Sequence, residues 1–193
     1  MIHKVNYSEV FSEIDTLLGQ GKEVTVAIDG SSGSGKSTLA KALSSTYDCN
    51  VFHMDDFFLR PEQRTEERMK QPGGNIDYER FKSEVLDNLK KGSEFEYQIY
   101  DCSVGRLTDF VMVYPKKLNI VEGVYSMHPT LCDAYDLKIF LKIDAEAQRK
   151  RILLRGGEYM LQRFLYEWIP LENEYFSKMK IAERCDLVIT SFC

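Results

Sequence analysis

Nine consecutive residues limit the folds open to this chain more than any others: Gly30-Ser31-Ser32-Gly33-Ser34-Gly35-Lys36-Ser37-Thr38. They meet the pattern G-x-x-x-x-G-K-[ST], and both flanks suit it. Glu23-Val24-Thr25-Val26-Ala27-Ile28-Asp29 is a short β-branched run that predicts a buried strand. Ser37-Thr38-Leu39-Ala40-Lys41-Ala42-Leu43 is rich in helix formers, with Leu39 and Leu43 one turn apart. Strand, glycine loop and helix in that order predict a phosphate-binding loop, or P-loop. Its glycines allow successive N–H groups to turn inward at the positive end of the helix, forming a nest for phosphate oxygens. In such a nest Lys36 reaches the β- and γ-phosphates and the Ser37 hydroxyl ligates Mg2+.

The remaining chain alternates strands with helices. Tyr7 to Gln20 sets Val10, Ile14, Leu17 and Leu18 at helical spacing, with Gly19 and Gly21 as stop signals. Cys49-Asn50-Val51-Phe52-His53-Met54 is a second apolar run, ended by Asp55-Asp56-Phe57-Phe58. Residues 60–75 are polar and contain two prolines and Gly73-Gly74, which predicts an irregular, mobile loop. Tyr78 to Lys91 is an amphipathic helix with Phe81, Val85 and Leu89 on one face. Residues 94–100 alternate at period two, as does the segment from Thr108 to Tyr114, so the two predict a small β-ribbon set on the main sheet. Core strands are expected over 117–123, 137–143 and 186–190. Between the last two lies helical sequence, basic over 145–155, broken by Gly156-Gly157, and restarted with Pro170 in a first turn. The whole reads as an α/β fold of the P-loop NTPase type, a doubly wound five-stranded parallel sheet with a β-ribbon and a helical lid near 149–165, in one domain over 1–193.

Composition narrows the function. A chain of 193 residues, 44% hydrophobic, can bury one good-sized core. A net charge of −5 gives no footprint for nucleic acid, so any anion site must be local. No apolar run approaches the ~20 residues of a membrane span, and the first residues lack the apolar core of a signal peptide. The five cysteines have no C-x-x-C spacing, which predicts neither a zinc site nor a disulfide framework and suits a cytoplasmic protein. The oligomeric state stays open, a homo-oligomer included.

In doubly wound sheets ligands bind at the carboxyl ends of the strands. There the P-loop, Asp55, Glu122 and Arg149 are expected to converge. A carboxylate at Asp55 suits the general base that takes a proton from an attacking hydroxyl, and Asp56, next along an extended chain, points the opposite way. Glu122 ends its strand where an acidic residue can hold the metal or its water. Arg151 and Arg155 share a helix face and could close over a nucleotide, with Arg149 and Arg163 as neighbours able to take that role. His3, His53 and His128 lack metal-ligand spacing and are assigned core or surface roles; Leu161, Phe164 and Trp168 are assigned lid or core packing. No N-K-x-D tetrapeptide is present to read guanine, which disfavours a nucleotide-dependent switch.

These elements together resemble the uridine kinase-like P-loop kinases, a group that includes phosphoribulokinase and pantothenate kinase. The resemblance rests on Gly30 to Thr38, His53-Met54-Asp55-Asp56-Phe57-Phe58, Val121-Glu122-Gly123-Val124-Tyr125 and the arginine-bearing lid. It implies an ATP- and Mg2+-dependent phosphotransferase acting on a hydroxyl of a small molecule, most naturally a nucleoside, or otherwise a pantothenate- or sugar-like acceptor. Asp55 would then be the base, with Lys36, Arg151 and Arg155 beside it. Ser37, Glu122 and Asp55 would surround the metal, and Asp55, Phe58, Tyr100 and Asp101 would border the acceptor. Family uridine kinases follow their Tyr-Asp pair with a base-contacting histidine; here Cys102-Ser103-Val104-Gly105-Arg106 carries none, and Phe58 stands where tyrosine is usual.

Overall fold

The computed structural model describes residues 7–191, so His3 and Cys193 lie outside the described residues. Five strands form a parallel sheet: β1 (Val24–Gly30), β2 (Cys49–His53), β5 (Leu118–Glu122), β6 (Leu137–Ile143) and β7 (Leu187–Ser191), in the order β2-β5-β1-β6-β7. The sequence expectation of five parallel strands with helices between them is met. Alternation along β1 sends Val24, Val26 and Ile28 to one face. There they pack on Val10 and Ile14 of α1 (Ser8–Leu18) and on Leu39 and Leu43 of α2 (Lys36–Ser44). On the opposite face Ala27, Phe52, Val121 and Phe140 meet Phe81 of α4 (Tyr78–Phe81), Tyr175 of α7 (Ile169–Lys178) and Ile181. Side chains of this size contribute about 1.5–3 kcal/mol each when fully buried, so both faces of the sheet are held firmly.

Strands β3 (Phe95–Asp101) and β4 (Arg106–Val113) pair antiparallel as expected, but they form a sheet of their own rather than extending the main one. The ribbon is tied to the body by side chains. Tyr97 and Val113 enter the core beside Phe52, and the buried Arg80 donates to the Gln98 carbonyl at 2.6 Å and to the Asp56 carbonyl at 2.7 Å.

Two local expectations need correction. The segment 60–75 carries regular elements: a 3₁₀ turn (Pro61–Gln63) leads into the short helix α3 (Glu66–Met69), capped by Thr65. The reason is Arg68, whose guanidinium donates to the carbonyls of Gly74 and Ile76, to the Tyr78 hydroxyl and to Glu79. One fork with many donors thus gathers a stretch whose composition reads as loop. The amphipathic helix from Tyr78 is not uniform either: α4 gives way to a π-helical turn over Lys82–Leu86 before α5 (Asp87–Leu89). Helix α6 (Ala145–Arg163) contains the predicted break, at Gly157, where φ is 74° and ψ −178°. Only glycine takes that conformation readily. A π-helical turn, Phe164–Trp168, then joins α6 to α7, with Pro170 in the opening turn of α7.

Candidate active site

The carboxyl ends of the central strands open into a cavity of about 670 Å³. Gly30, the last residue of β1, stands in register with Leu141 of β6, and a Cβ there would lie 2.2 Å from the Leu141 carbonyl oxygen. Glycine is required where the chain turns out of the sheet so close to its neighbour. The loop then winds to Gly35, the N-cap of α2, which supplies no side-chain cap. The first N–H groups of α2 are therefore free of a capping side chain and stand at the cavity, where they suit an anion. Lys36 is buried, and its ammonium donates to the carbonyls of Gly30 at 2.7 Å and Ser31 at 3.2 Å.

Three oxygen-bearing side chains meet beside this lysine. Ser37 Oγ donates to Glu122 Oε1 at 3.1 Å, and the same oxygen lies 2.7 Å from His53 Nδ1. The register explains the meeting, since Glu122 pairs with His53 on one side and Ile28 on the other. Hydrogen bonding to Glu122 raises the His53 pKa, against the opposing effect of burial. Asp55 lines the same cavity. It is open to the cavity yet crowded by protein atoms, and that desolvation raises its pKa; Lys36 pulls it down, the Glu122 charge pushes it up, and His53 and Arg155 pull it down.

Asp55 and Asp56 do diverge, but not by strand alternation. Both belong to a 3₁₀ turn, Met54–Phe57, that follows β2 directly. Asp55 faces the cavity, whereas the Asp56 carboxylate accepts from Tyr97 Oη at 3.4 Å on the ribbon side. The donor set of Ser37, Glu122 and Asp55 is all oxygen, which fits a hard cation such as Mg2+. Among the described residues no three His, Cys, Asp or Glu side chains form a ready metal cage.

A further part of the wall comes from α6 and the turn after it. Arg151 and Arg155 both line the cavity, one turn apart; Arg151 donates to the Gly33 carbonyl at 3.1 Å, and the Arg155 guanidinium lies 5.5 Å from the Phe164 ring centre. Arg149 is exposed outside the cavity lining, and Arg163 pairs with Glu167 while lying over Trp168. Phe164 and Trp168 meet edge to face and form part of the wall. Phe58, Asn75 and Cys102 also line the cavity. Tyr100 is buried and its hydroxyl accepts from Arg64 at 3.3 Å, while the half-buried Asp101 carboxylate accepts from Ser103. The cavity is thus bordered by Cys102, the residue after that pair. His128 packs on the Tyr78 ring, centres 3.8 Å apart, and burial lowers its pKa to about 4.

Several residues at the site have no motif to mark them. Asp29 is fully buried and accepts from the N–H groups of Gly30 (2.7 Å) and Met127 (2.9 Å) and from Tyr175 Oη (2.8 Å). Burial lifts its pKa to about 6 despite those bonds. One acidic residue inside an apolar strand was the available signal. Glu172 and Gln148, both buried, hold Ser32 from α7 and α6; in the sequence they look like ordinary polar positions on helices.

Comparison with known proteins bears on the family and the fold. A uridine kinase of Clostridium perfringens is 27% identical over 176 residues, covering 82% of this chain and 84% of the relative. Among solved structures, one reported as "a Possible Uridine Kinase" from Bacillus stearothermophilus superposes with a TM-score of 0.66 at 22% identity, covering 93% of this chain and 98% of that one. A D-glycerate 3-kinase from Cryptococcus neoformans shares the fold at a TM-score of 0.62 and 17% identity, over 80% of this chain and 79% of its own. Residues 25–158 match the model of the phosphoribulokinase / uridine kinase family, and the chain belongs to that family of kinases.

Proposed function

We propose that the chain is an ATP- and Mg2+-dependent kinase, with 149–165 as the lid of a single domain, that transfers the γ-phosphoryl group to a hydroxyl of a small metabolite. The observation that carries this reading is the presence of Asp55 on the cavity that Lys36, Ser37, Glu122, Arg151 and Arg155 also line. Lys36 and the α2 N–H groups hold the phosphates of the donor. Ser37 and Glu122 would hold Mg2+, which would supply positive charge to offset that of the donor's phosphates. Asp55 orients the acceptor hydroxyl and accepts its proton; its raised pKa brings it nearer to that task than an ordinary aspartate. Arg151 and Arg155 stabilise charge on the phosphoryl group in flight, and the break at Gly157 lets the segment beyond it close and exclude water.

A nucleoside is the first acceptor class, supported by the curated uridine kinase relatives. A second reading, a sugar- or acid-type metabolite, is supported by the lack of an imidazole between Tyr100 and Arg106. Incubation with ATP or GTP, Mg2+ and a panel of nucleosides, sugars and hydroxy acids, with phosphorylated products identified by mass spectrometry, tests both. Product from one class assigns the acceptor; nucleotide turnover indifferent to every acceptor would refute the kinase reading.

A further inference from the structure

Both stems of the lid reach the outer arm of the phosphate loop. Gln148 Nε2 donates to the Ser32 carbonyl at 2.9 Å, and Arg151 donates to the Gly33 carbonyl. Glu172, in the first turn of α7, makes a contact of another kind. Its Oε2 accepts the Ser32 N–H at 2.9 Å, and its Oε1 accepts the Ser32 hydroxyl. A carboxyl group thus occupies two donors of a loop built to receive anions, and it lines the same cavity as Lys36 and Asp55.

Burial raises the Glu172 pKa, while the two Ser32 hydrogen bonds and the Lys36 charge lower it and Asp55 raises it. Glu172 therefore shares an electrostatic neighbourhood with the group that meets the terminal phosphate. A diphosphate on the loop leaves that neighbourhood as it stands. A triphosphate brings a second anion to it, at short range and away from bulk water, where like charges repel strongly.

Building on the reading of this cavity as a triphosphate-dependent phosphotransfer site, we propose that Glu172 is a specificity-determining residue for the donor. Its carboxylate holds the Ser32 N–H and hydroxyl until the γ-phosphoryl group takes them. The charge on Glu172 thereby sets the preference between triphosphate and diphosphate. Tyr175, one turn further along α7, stays bound to Asp29 at the root of the loop, so release of Glu172 leaves the helix anchored.

The test is Glu172→Gln, which keeps the shape and one acceptor oxygen, with thermal melting to verify the fold. Binding of the β,γ-imido analogue of ATP and of ADP, each with Mg2+, is measured by calorimetry. The imido analogue should bind about tenfold more tightly to the variant than to the wild type, with ADP affinity within about twofold. A second reading needs no variant. Trp168, the sole tryptophan, lies four residues before Glu172 on the cavity wall. Its emission in the wild type should change more with the imido analogue than with ADP. Equal weakening of both ligands by Glu172→Gln, or identical emission changes, would overturn the proposal and make Glu172 a plain brace. Wild-type protein that binds neither nucleotide would overturn the donor assignment itself.

Discussion

Replacing Gly30 by alanine tests whether the loop leaves the sheet as described. Gly30 has φ near 140°, and the added Cβ would stand 2.2 Å from the Leu141 carbonyl oxygen and 2.9 Å from the Leu141 nitrogen and carbonyl carbon. All three atoms are backbone of the neighbouring strand, so no rotamer change relieves them. The left-handed conformation costs an L-residue about 1–3 kcal/mol, and forcing β1 and β6 apart costs about 1–3 kcal/mol more. The expected loss, about 2–6 kcal/mol, is a large part of the 5–15 kcal/mol that usually holds a domain together. Gly33→Ala is the internal control: φ is 79°, but the nearest atom to its Cβ is 3.7 Å away, so only the conformational cost applies. Urea unfolding of both variants, followed by far-UV circular dichroism, gives the comparison. Gly30→Ala should be less stable than Gly33→Ala by at least about 1 kcal/mol. Equal midpoints, or a Gly30→Ala variant as stable as wild type, would refute the close approach.

Lys36→Ala should remove about 3–4 kcal/mol of transition-state stabilisation, measured as kcat/KM once the acceptor is known, with circular dichroism to verify the fold. Arg155→Ala should lower kcat more than it raises the KM for ATP, because a contact made mainly in the transition state behaves that way; unchanged kcat in Arg151→Ala, Arg155→Ala and the double variant would remove the lid from the chemistry. Asp29 predicts a pH effect. Its folded pKa of about 6 exceeds the 3.8 of an ordinary aspartate, so the folded state binds the extra proton between those values. Its contribution is therefore greatest below pH 4 and falls by about 3 kcal/mol as pH rises through 6. Urea midpoints of wild type relative to Asp29→Asn should decline across that window, and a rising difference would contradict the buried-carboxyl account.

The sheet was legible because its strands are apolar runs bounded by turn signals, and because a glycine loop between strand and helix admits few architectures. Asp55, Glu122, Arg151 and Arg155 were legible through their places after strands or on one helix face, which is enough to bring them to one cavity. The local structure of 60–75 was hidden, since it depends on Arg68 reaching partners up to eleven residues away. The divergence of Asp55 and Asp56 had the wrong cause in the sequence, because alternation stops where β2 tightens into a 3₁₀ turn. Glu172 and Tyr175 were invisible for a deeper reason. Their partners, Ser32 and Asp29, lie more than 130 residues away, and a glutamate or tyrosine on an amphipathic helix carries no local mark of such a contact.

The most direct test of the central claim, that this cavity moves a phosphoryl group to an acceptor hydroxyl, is Asp55→Asn. The substitution keeps shape and one acceptor oxygen but removes charge and basicity. Nucleotide affinity by titration should stay near wild type, apart from any loss through Mg2+. Transfer to the acceptor identified by the panel should fall by about 10²–10⁴-fold. Asp56→Asn, whose carboxylate faces Tyr97 instead, should transfer at close to the wild-type rate. Normal transfer by Asp55→Asn, or loss confined to Asp56→Asn, would contradict the account.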